Sequence, residues 1–324
     1  MNPAFSVILL TTLIGAGQGL FLALFTVQSH SLVGLLEPVD GRGFYAGGSA
    51  LALALTGGGL VASFFHLGRP ERAWRSAAQW RTSWLSREVI VLPAFMGALA
   101  LWGVLHATGR APVLATPAQG TPIELSLVVG IAATLLAFAL FVCTGMIYAC
   151  LRFLAEWHTP LTPLNYTLMG GASGFTLAAA WAALASPPHA RFLAGWAVAL
   201  TLLAAAGRLA SLWRNARLKP RSTLQSAIGV KHPNIVQRSQ GFMGDSFNTR
   251  EFFHGRGAPL LRSVKSGFML TAFALPAAML AFGPSRSDWL LAAFAVQYSG
   301  LLAERWFFFA QANHPQNLYY QAVS

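Results

Sequence analysis

The chain has 324 residues, of which 55% are hydrophobic and only 10% are charged. Its apolar runs are long enough to cross a bilayer, which takes about 20 residues of α-helix. This composition excludes an ordinary soluble enzyme and predicts an all-α, polytopic membrane protein. In such a protein the net charge of +12 is more typical of cytoplasmic loops and a soluble partner than of a nucleic-acid surface.

Eight apolar runs follow one another along the chain and predict a bundle of eight transmembrane helices. The predicted spans are 4–28, 44–66, 87–107, 124–150, 164–185, 191–213, 264–284 and 288–311. They would form one integral-membrane domain over 1–324, interrupted by a hydrophilic insertion at 214–263. An even number of spans places both termini on one side of the membrane, which we call face A. The loops after the second, fourth and sixth spans share that side, and the opposite side is face B.

The basic residues are distributed unequally between the two faces. Face B carries four of the 22 lysines and arginines, namely Arg42, Arg110, Arg191 and Arg286, and the other 18 lie on face A or at its boundary. Since cytoplasmic loops are enriched in these residues, face A is predicted to be cytoplasmic. This places both termini and the 214–263 loop in the cytoplasm and the chain in the inner membrane. Basic residues that dock a partner would produce the same distribution.

The first span contains several small residues beside a polar one. Gly15, Gly17 and Gly19 surround Gln18, and small residues at such spacing let a neighbouring helix come close. Gln18 lies near the middle of the bilayer and requires a partner, either another helix or the carbonyl of a bound ligand. We expect helix packing, and Gln18 stays a candidate ligand contact.

The stretch from Ser63 to Val91, SFFHLGRPERAWRSAAQWRTSWLSREVIV, concentrates reactive and aromatic groups between two spans. His66 ends the second span and Glu88 begins the third, so both are expected to face each other at the face A boundary. A carboxyl and an imidazole there could exchange protons with a molecule dissolved in the lipid. An ordinary positively charged loop with an aromatic belt would contain the same residue types.

Other kinds of site are less well supported. Cys143 and Cys150 lie in one apolar run and are expected to pack, so we predict no iron–sulfur cluster or other metal in this chain. A haem with two axial histidines would need facing imidazoles, but His66 and His106 fall at opposite ends of their spans. A small-solute transporter would need polar groups at mid-membrane and broken helices; Gln18 and Pro276 offer a little of this, but charges at mid-span are absent. Both classes stay open as alternatives.

A quinone site makes the best use of the residues present. A quinone headgroup needs donors for its two oxygens and exchanges two protons with its two electrons. His66 and Glu88 would handle the protons, while Arg69 and Arg87 would stabilise a negatively charged reduced form. Three tryptophans would line the entrance: Trp74, Trp80 and Trp84. The electrons would have to come from a redox centre on a partner.

Two further features belong to face A. Glu304 and Arg305 end the last span, where ionisable groups usually pair or line a pathway, so they are either a structural ion pair or part of the site. The 214–263 segment is basic, yet it contains more apolar and aromatic residues than a solvated linker needs. We therefore predict that it docks a partner subunit.

The stretch SFFHLGRPERAW at 63–74, followed by TSWLSRE at 82–88, resembles the membrane-anchor subunit of the dimethyl sulfoxide reductase family. In that family a His-Leu-Gly-x-Pro turn and a downstream Leu-Ser-x-Glu flank the quinol site. The eight-span plan and the closing ERWFF at 304–308 are also similar to that family. The resemblance covers the whole chain, although its specific motifs cover only about thirty residues.

The resemblance implies a three-subunit complex. A molybdopterin catalytic subunit would exchange electrons with quinone in the anchor through an iron–sulfur subunit, so the partner's substrate would never touch this chain. The family's quinol-site roles carry over to His66 and Glu88 only; Arg69, Arg87, Glu304 and Arg305 are inferred from their chemistry.

The face A orientation, the 214–263 insertion and the opening NPAFSVI and TTLIGAGQG motifs resemble the cytoplasmic sulfite-oxidising branch more closely. In that branch, sulfite oxidation on the partner would reduce quinone here. The alternative is an anchor of a respiratory reductase, which would oxidise quinol.

Overall fold

The computed structural model describes residues 1–39, 42–116, 122–219, 222–238 and 247–319, without the side chains of 247 and 248. The long helices in these ranges are α1 (Phe5–Leu32), α2 (Phe44–Phe64), α3 (Trp84–Thr108), α4 (Leu125–Ala149), α5 (Leu161–Ala185) and α6 (Pro187–Asn215). The later helices are α7 (Leu224–Ile228), α8 (Phe247–Phe252), α9 (Ala258–Phe268), α10 (Leu275–Phe282) and α11 (Ser287–Ala310). A short antiparallel pair, β1 (Val113–Ala115) and β2 (Ile123–Glu124), joins α3 to α4.

In the described ranges seven helices are long and apolar enough to cross a bilayer: α1 to α6 and the helix from Ala258 to Phe282. The eighth predicted span exists as α11, which has 24 residues. It is not among these seven, since Gln297, Glu304 and Arg305 lower its mean hydropathy. Seven spans are therefore established by length and composition, and the crossing by α11 stays a prediction.

Most helix bounds lie within a few residues of those predicted, and the largest difference is at the start of α9. This helix begins at Ala258 rather than at 264, where the apolar run begins. Pro259 lies in its first turn, a position where proline's missing N–H and fixed φ favour helix initiation. The helix start is thus set by local backbone chemistry ahead of the apolar run.

The close contact between α1 and α5 holds the centre of the bundle together. A Cβ atom on Gly19 would lie 2.2 Å from the carbonyl oxygen of Gly170, and one on Gly174 would lie 2.1 Å from the carbonyl carbon of Gly19. Gly17 faces α2 instead, where a Cβ would lie 2.9 Å from the carbonyl oxygen of Ala52. The small residues of α1 therefore admit two neighbouring helices, as their spacing predicts.

The helix from Ala258 to Phe282 is irregular at its centre. Residues Met269–Ala274 form a π-helical turn, and Pro276 follows in the first turn of α10. Both features interrupt the regular helical hydrogen bonds. The turn packs tightly on α11, because a Cβ on Gly300 would lie 2.2 Å from the backbone nitrogen of Ala272.

Several distant segments meet on face A. The amino-terminal nitrogen of Met1 donates to the carbonyl oxygen of Ala312 over 2.7 Å, and the Asn2 N–H donates to that of Glu251 over 2.8 Å. At the end of α6, Arg214 donates to the carbonyl of Ala155 over 3.0 Å. The amino terminus, the α4–α5 loop and the described parts of the 214–263 segment thus share one face with the end of α11.

Candidate functional site

The segment between α2 and α3 forms an exposed patch on face A. Pro70–Gln79 folds as a 3₁₀ turn, and the Ser83 hydroxyl caps α3 by accepting the Ser86 N–H over 3.3 Å. We define the surface patch as Phe65, His66, Arg69, Trp74, Trp80, Trp84 and Arg87. Phe65 is 83% exposed and Trp74 is 72% exposed, so the patch presents apolar rings next to cationic groups.

Arg87 is fixed within this patch. Its Nε donates to the carbonyl oxygen of Trp80 over 2.9 Å and its Nη2 to that of Arg81 over 2.8 Å. Its guanidinium carbon lies 4.2 Å from the ring centroid of Trp84, which is a cation–π contact. The cation therefore has a defined position at the start of α3.

His66 follows the end of α2 and is exposed. Neighbouring groups nevertheless desolvate its imidazole enough to lower its pKa below the usual 6.5, because burial disfavours the charged form. The neutral ring has one donor and one acceptor nitrogen. It can therefore either give or accept a hydrogen bond.

Glu88 points away from the patch and into the bundle. Its side chain is buried, and its Oε1 accepts a hydrogen bond from the Thr144 hydroxyl of α4. Adjacent positions on an α-helix are about 100° apart, so Arg87 faces outward where Glu88 faces inward. One turn of α3 thereby connects the surface patch with the interior.

A cavity of about 20 Å³ lies beside Glu88. Its polar lining comes from α1, α3, α4, α5 and α11: Thr11, Thr12, Gln18, Glu88, Thr144, Tyr166, Ser173 and Arg305. Gln18 is held by its Nε2 donating to the carbonyl oxygen of Ala137 over 2.7 Å, so it serves helix packing as expected and also lines the cavity. This volume admits about one water and no aromatic ring.

A fully buried charged group, which we call the interior cluster, consists of Arg208, Glu304 and Arg305. Arg208 Nε lies 2.7 Å from Glu304 Oε1, and Arg305 Nε lies 3.1 Å from Glu304 Oε2. The Arg305 guanidinium carbon also lies 3.8 Å from the ring centroid of Tyr166. Charges this far from water persist only when they are paired.

A second cavity of about 10 Å³ borders the interior cluster. Its polar lining is Glu156, Thr162, Asn165, Tyr166, Arg208, Ser211, Glu304 and Arg305. Glu156 belongs to the α4–α5 loop on face A, so this cavity lies between the cluster and that face.

The structure therefore divides the predicted site residues into two sets. Gln18, Glu88 and Arg305 line one cavity, and Glu304 is bonded to Arg305 at its edge. The other set, on the surface patch, is His66, Arg69, Trp84 and Arg87. His66 is exposed and Glu88 is buried, and in the described residues no hydrogen bond or ion pair joins them. That the two flank one site therefore stays a prediction.

Three residues of the interior were missed by the sequence reasoning: Thr144, Tyr166 and Arg208. Arg208 did carry a signal, since it is the sole charged residue between Arg191 and Arg214 in an apolar run, and such residues usually pair or serve a function. Thr144 and Tyr166 carried none, because their relevance comes from partners on other helices.

These features define a multi-pass helical membrane protein with ionisable groups buried beneath one face. Residues 1–230 match the family model of the DMSO reductase anchor subunit, DmsC, and the chain belongs to that family. It is also 54% identical, over 326 aligned residues and 100% of both chains, to a sulfite dehydrogenase subunit of Allochromatium vinosum. The resemblance predicted from residues 63–88 is confirmed: the chain is the membrane-anchor subunit of a complex of the DMSO reductase family.

Proposed function

We propose that this chain carries the quinone-reacting site of a three-subunit molybdopterin oxidoreductase. The observation that supports the proposal is the first turn of α3. It presents a fixed cation, Arg87, on an exposed aromatic surface and a buried carboxyl, Glu88, to a polar cavity.

The surface patch suits a quinone headgroup by its chemistry. The exposed rings of Phe65 and Trp74 offer an apolar surface, whereas the cavity beside Glu88 is too small for any ring. A quinone held there would supply a two-electron, two-proton couple. The His66 imidazole would hydrogen-bond one quinone oxygen, and Arg69 and Arg87 would offset negative charge.

Glu88 would hold and move a proton at its carboxyl. The Thr144 hydroxyl donates to Oε1, which supports the carboxylate once its proton has left. The surrounding helices exclude bulk water from this group, so its proton would pass either to the site or to the cavity.

Electrons would reach this site from iron–sulfur and molybdopterin partner subunits. The 214–263 segment is the proposed docking surface, and its described part exposes Ile228, Val230 and Val236. Residues 220–221 and 239–246 of that segment lie outside the described residues. Exposed apolar groups beside basic ones are typical of a surface that binds another protein.

The relative is named for sulfite dehydrogenation, and this supports sulfite as the substrate of the catalytic partner here. Quinone would then be reduced in the anchor, as in sulfite:quinone oxidoreductase. With 18 of 22 basic residues on face A or at its boundary, two of them (Arg208 and Arg305) buried in the interior cluster, that face would be cytoplasmic and the protein would lie in the inner membrane. A reporter fused within the 214–263 loop tests this, and a periplasmic signal would favour the quinol-oxidising respiratory reductase instead.

The proton-transfer role is tested in the purified complex with Glu88→Gln and His66→Ala. Each should lower quinone-linked turnover by about 100-fold, since positioned acid–base groups contribute roughly 10²–10⁴-fold. Artificial-dye turnover and subunit assembly should stay at the level of the unmodified complex. Glu71→Gln, an exposed change on the same segment, is the matched control. Normal quinone-linked turnover in both site variants would refute the proposal.

The docking role is tested separately by replacing Ile228, Val230 and Val236 with Asp. These side chains are exposed, so the anchor should fold while the soluble subunits are released. Val113→Asp with Leu114→Asp, exposed on face B, is the control. Retention of the soluble subunits by the triple variant would contradict docking at this segment.

A further inference from the structure

We propose that the interior cluster and its two cavities form a water-filled proton route between face A and Glu88. The inference rests on the proposed function, because it assigns a proton supply to the carboxyl that was given a transfer role there. The route would begin at Glu156 in the α4–α5 loop and end at the first turn of α3.

The two cavities adjoin along shared residues. Tyr166, Met169 and Arg305 line both of them. The first also reaches Glu88, and the second also reaches Glu156. The residues that line the two cavities therefore extend from a loop on face A to the buried carboxyl, across α5, α6 and α11.

The cavities have the size and chemistry to hold single waters. Their volumes are about 20 and 10 Å³, against a requirement of about 10–15 Å³ for one water. In the described residues, the buried polar atoms around them that lack a hydrogen-bond partner include Asn165 Oδ1, Arg208 Nη2 and Arg305 Nη1. Since buried polar groups are nearly always satisfied by protein or water, these atoms point to water positions.

The charges of the region favour a proton that moves to and from Glu88. Two arginines face one glutamate in the interior cluster, so the three residues by themselves carry one excess positive charge, with Glu156 in the lining of the second cavity. An ionised Glu88 across the first cavity would balance that excess charge. Arg305 would thus stabilise the Glu88 carboxylate in the interval between loss and return of its proton.

The arginines themselves do not carry the proton. A guanidinium stays protonated in proteins, and Glu304 is held between two of them. The proton would move along waters and the Tyr166 hydroxyl, while the cluster sets the local potential. During quinone reduction, each proton that Glu88 gives to the site is replaced by one that enters at Glu156; during quinol oxidation each transfer runs in reverse. No electron passes along this route.

The reconstituted complex tests the route with two variants that leave the ion pairs intact. Tyr166→Phe keeps the ring beneath Arg305 and removes only the hydroxyl. Glu156→Gln removes the ionisable carboxyl at the face A end of the route. The matched controls are Tyr45→Phe, a buried tyrosine near face B, and Glu71→Gln on face A. The readouts are quinone-linked turnover as a function of pH, its solvent deuterium isotope effect, and rescue by added acetate.

Tyr166→Phe should lower quinone-linked turnover by about 10-fold or more and increase the isotope effect. Glu156→Gln should slow turnover most at alkaline pH, where protons are scarce, and acetate should restore it. If Glu88→Gln turns over normally, the proton-transfer role given to Glu88 in the proposed function fails, and the route fails with it. If Glu88→Gln is inactive while both route variants match their controls, the route is refuted and the quinone site stands. Lost turnover with no change in isotope effect and no rescue would also refute the route, because it would indicate a structural role.

Discussion

Arginine and glutamate occur both in the exposed segment that carries the surface patch and in the interior cluster, but in opposite environments. On the surface, Arg72 lies 3.9 Å from Glu71 and both side chains are more than half exposed. Inside, Arg208 lies 2.7 Å from a fully buried Glu304. Water screens the first pair and makes it nearly neutral to stability, whereas the second must remain paired because nothing else solvates its charges.

The difference in environment corresponds to a difference in task. A cation on the patch, such as Arg87, is held by backbone carbonyls and an indole ring, so one side of it stays available to a molecule from the lipid. Arg305 is enclosed by a carboxylate and a phenol ring and can act only through its field. We infer that binding belongs to the patch and proton supply to the interior.

The largest expected effect comes from breaking the interior pair. Glu304→Gln leaves two buried guanidiniums beside a neutral amide, which should destabilise the anchor by about 3–5 kcal/mol. The surface change Glu71→Gln should cost about 0–1 kcal/mol. Thermal unfolding of both variants in detergent measures the contrast. Equal stabilities would mean that the interior pair is solvated and that the two regions do not differ.

A smaller loss of stability is expected from the Thr144–Glu88 hydrogen bond, which lies between the surface patch and the interior cluster. Thr144→Val removes the hydroxyl that donates to Glu88 and should cost about 1–3 kcal/mol, as expected for a buried hydrogen bond to a carboxylate. It should also reduce kcat for quinone without changing KM. Thr134→Val on the same helix, where the hydroxyl bonds only to the carbonyl of Gly130 over 2.8 Å, is the control. Equal losses of stability and of kcat in both variants would mean that the Thr144 hydroxyl makes no specific contribution through Glu88.

The sequence predicted the helices well because their signal is local. Long apolar runs, basic loops and the glycines of α1 each act through neighbours along the chain or across one helix contact. α11 shows the limit of this reasoning: Gln297, Glu304 and Arg305 weaken its apolar character, yet inside the bundle they are partnered by α5, α6 and the π turn.

The candidate site was predicted only in part. His66 and Glu88 could be predicted as candidate site residues from their residue types and their positions at the ends of two spans. The directions of their side chains could not be predicted in this way. Helix register turns Glu88 inward, and Thr144 bonds to it and Tyr166 shares its cavity only because α4 and α5 pack there. Arrangements that depend on contacts between distant segments leave no trace in local patterns.

A modest effect is expected on the patch itself. Arg87→Lys keeps the charge but cannot reproduce the two carbonyl bonds and the stacking of a planar guanidinium. We expect the KM for quinone to rise by a few-fold, which corresponds to about 1 kcal/mol, with little change in kcat. Arg75→Lys, where the guanidinium carbon lies 5.5 Å from the ring of Trp74, is the control. A fall in kcat at unchanged KM would mean that Arg87 contributes to proton transfer and not to quinone binding.

The smallest expected effect is a pH dependence at His66. Partial burial lowers the pKa of this imidazole below 6.5 in the folded chain, so between the folded and unfolded pKa values the unfolded chain binds more protons. His66 therefore makes folding less stable as the pH falls through 6.5. Between about pH 7.5 and about pH 5.5, the unmodified chain should lose more thermal stability than His66→Gln. Equal losses would mean that water fully solvates the imidazole, and the patch would then lack the partial desolvation that separates a binding surface from an ordinary loop.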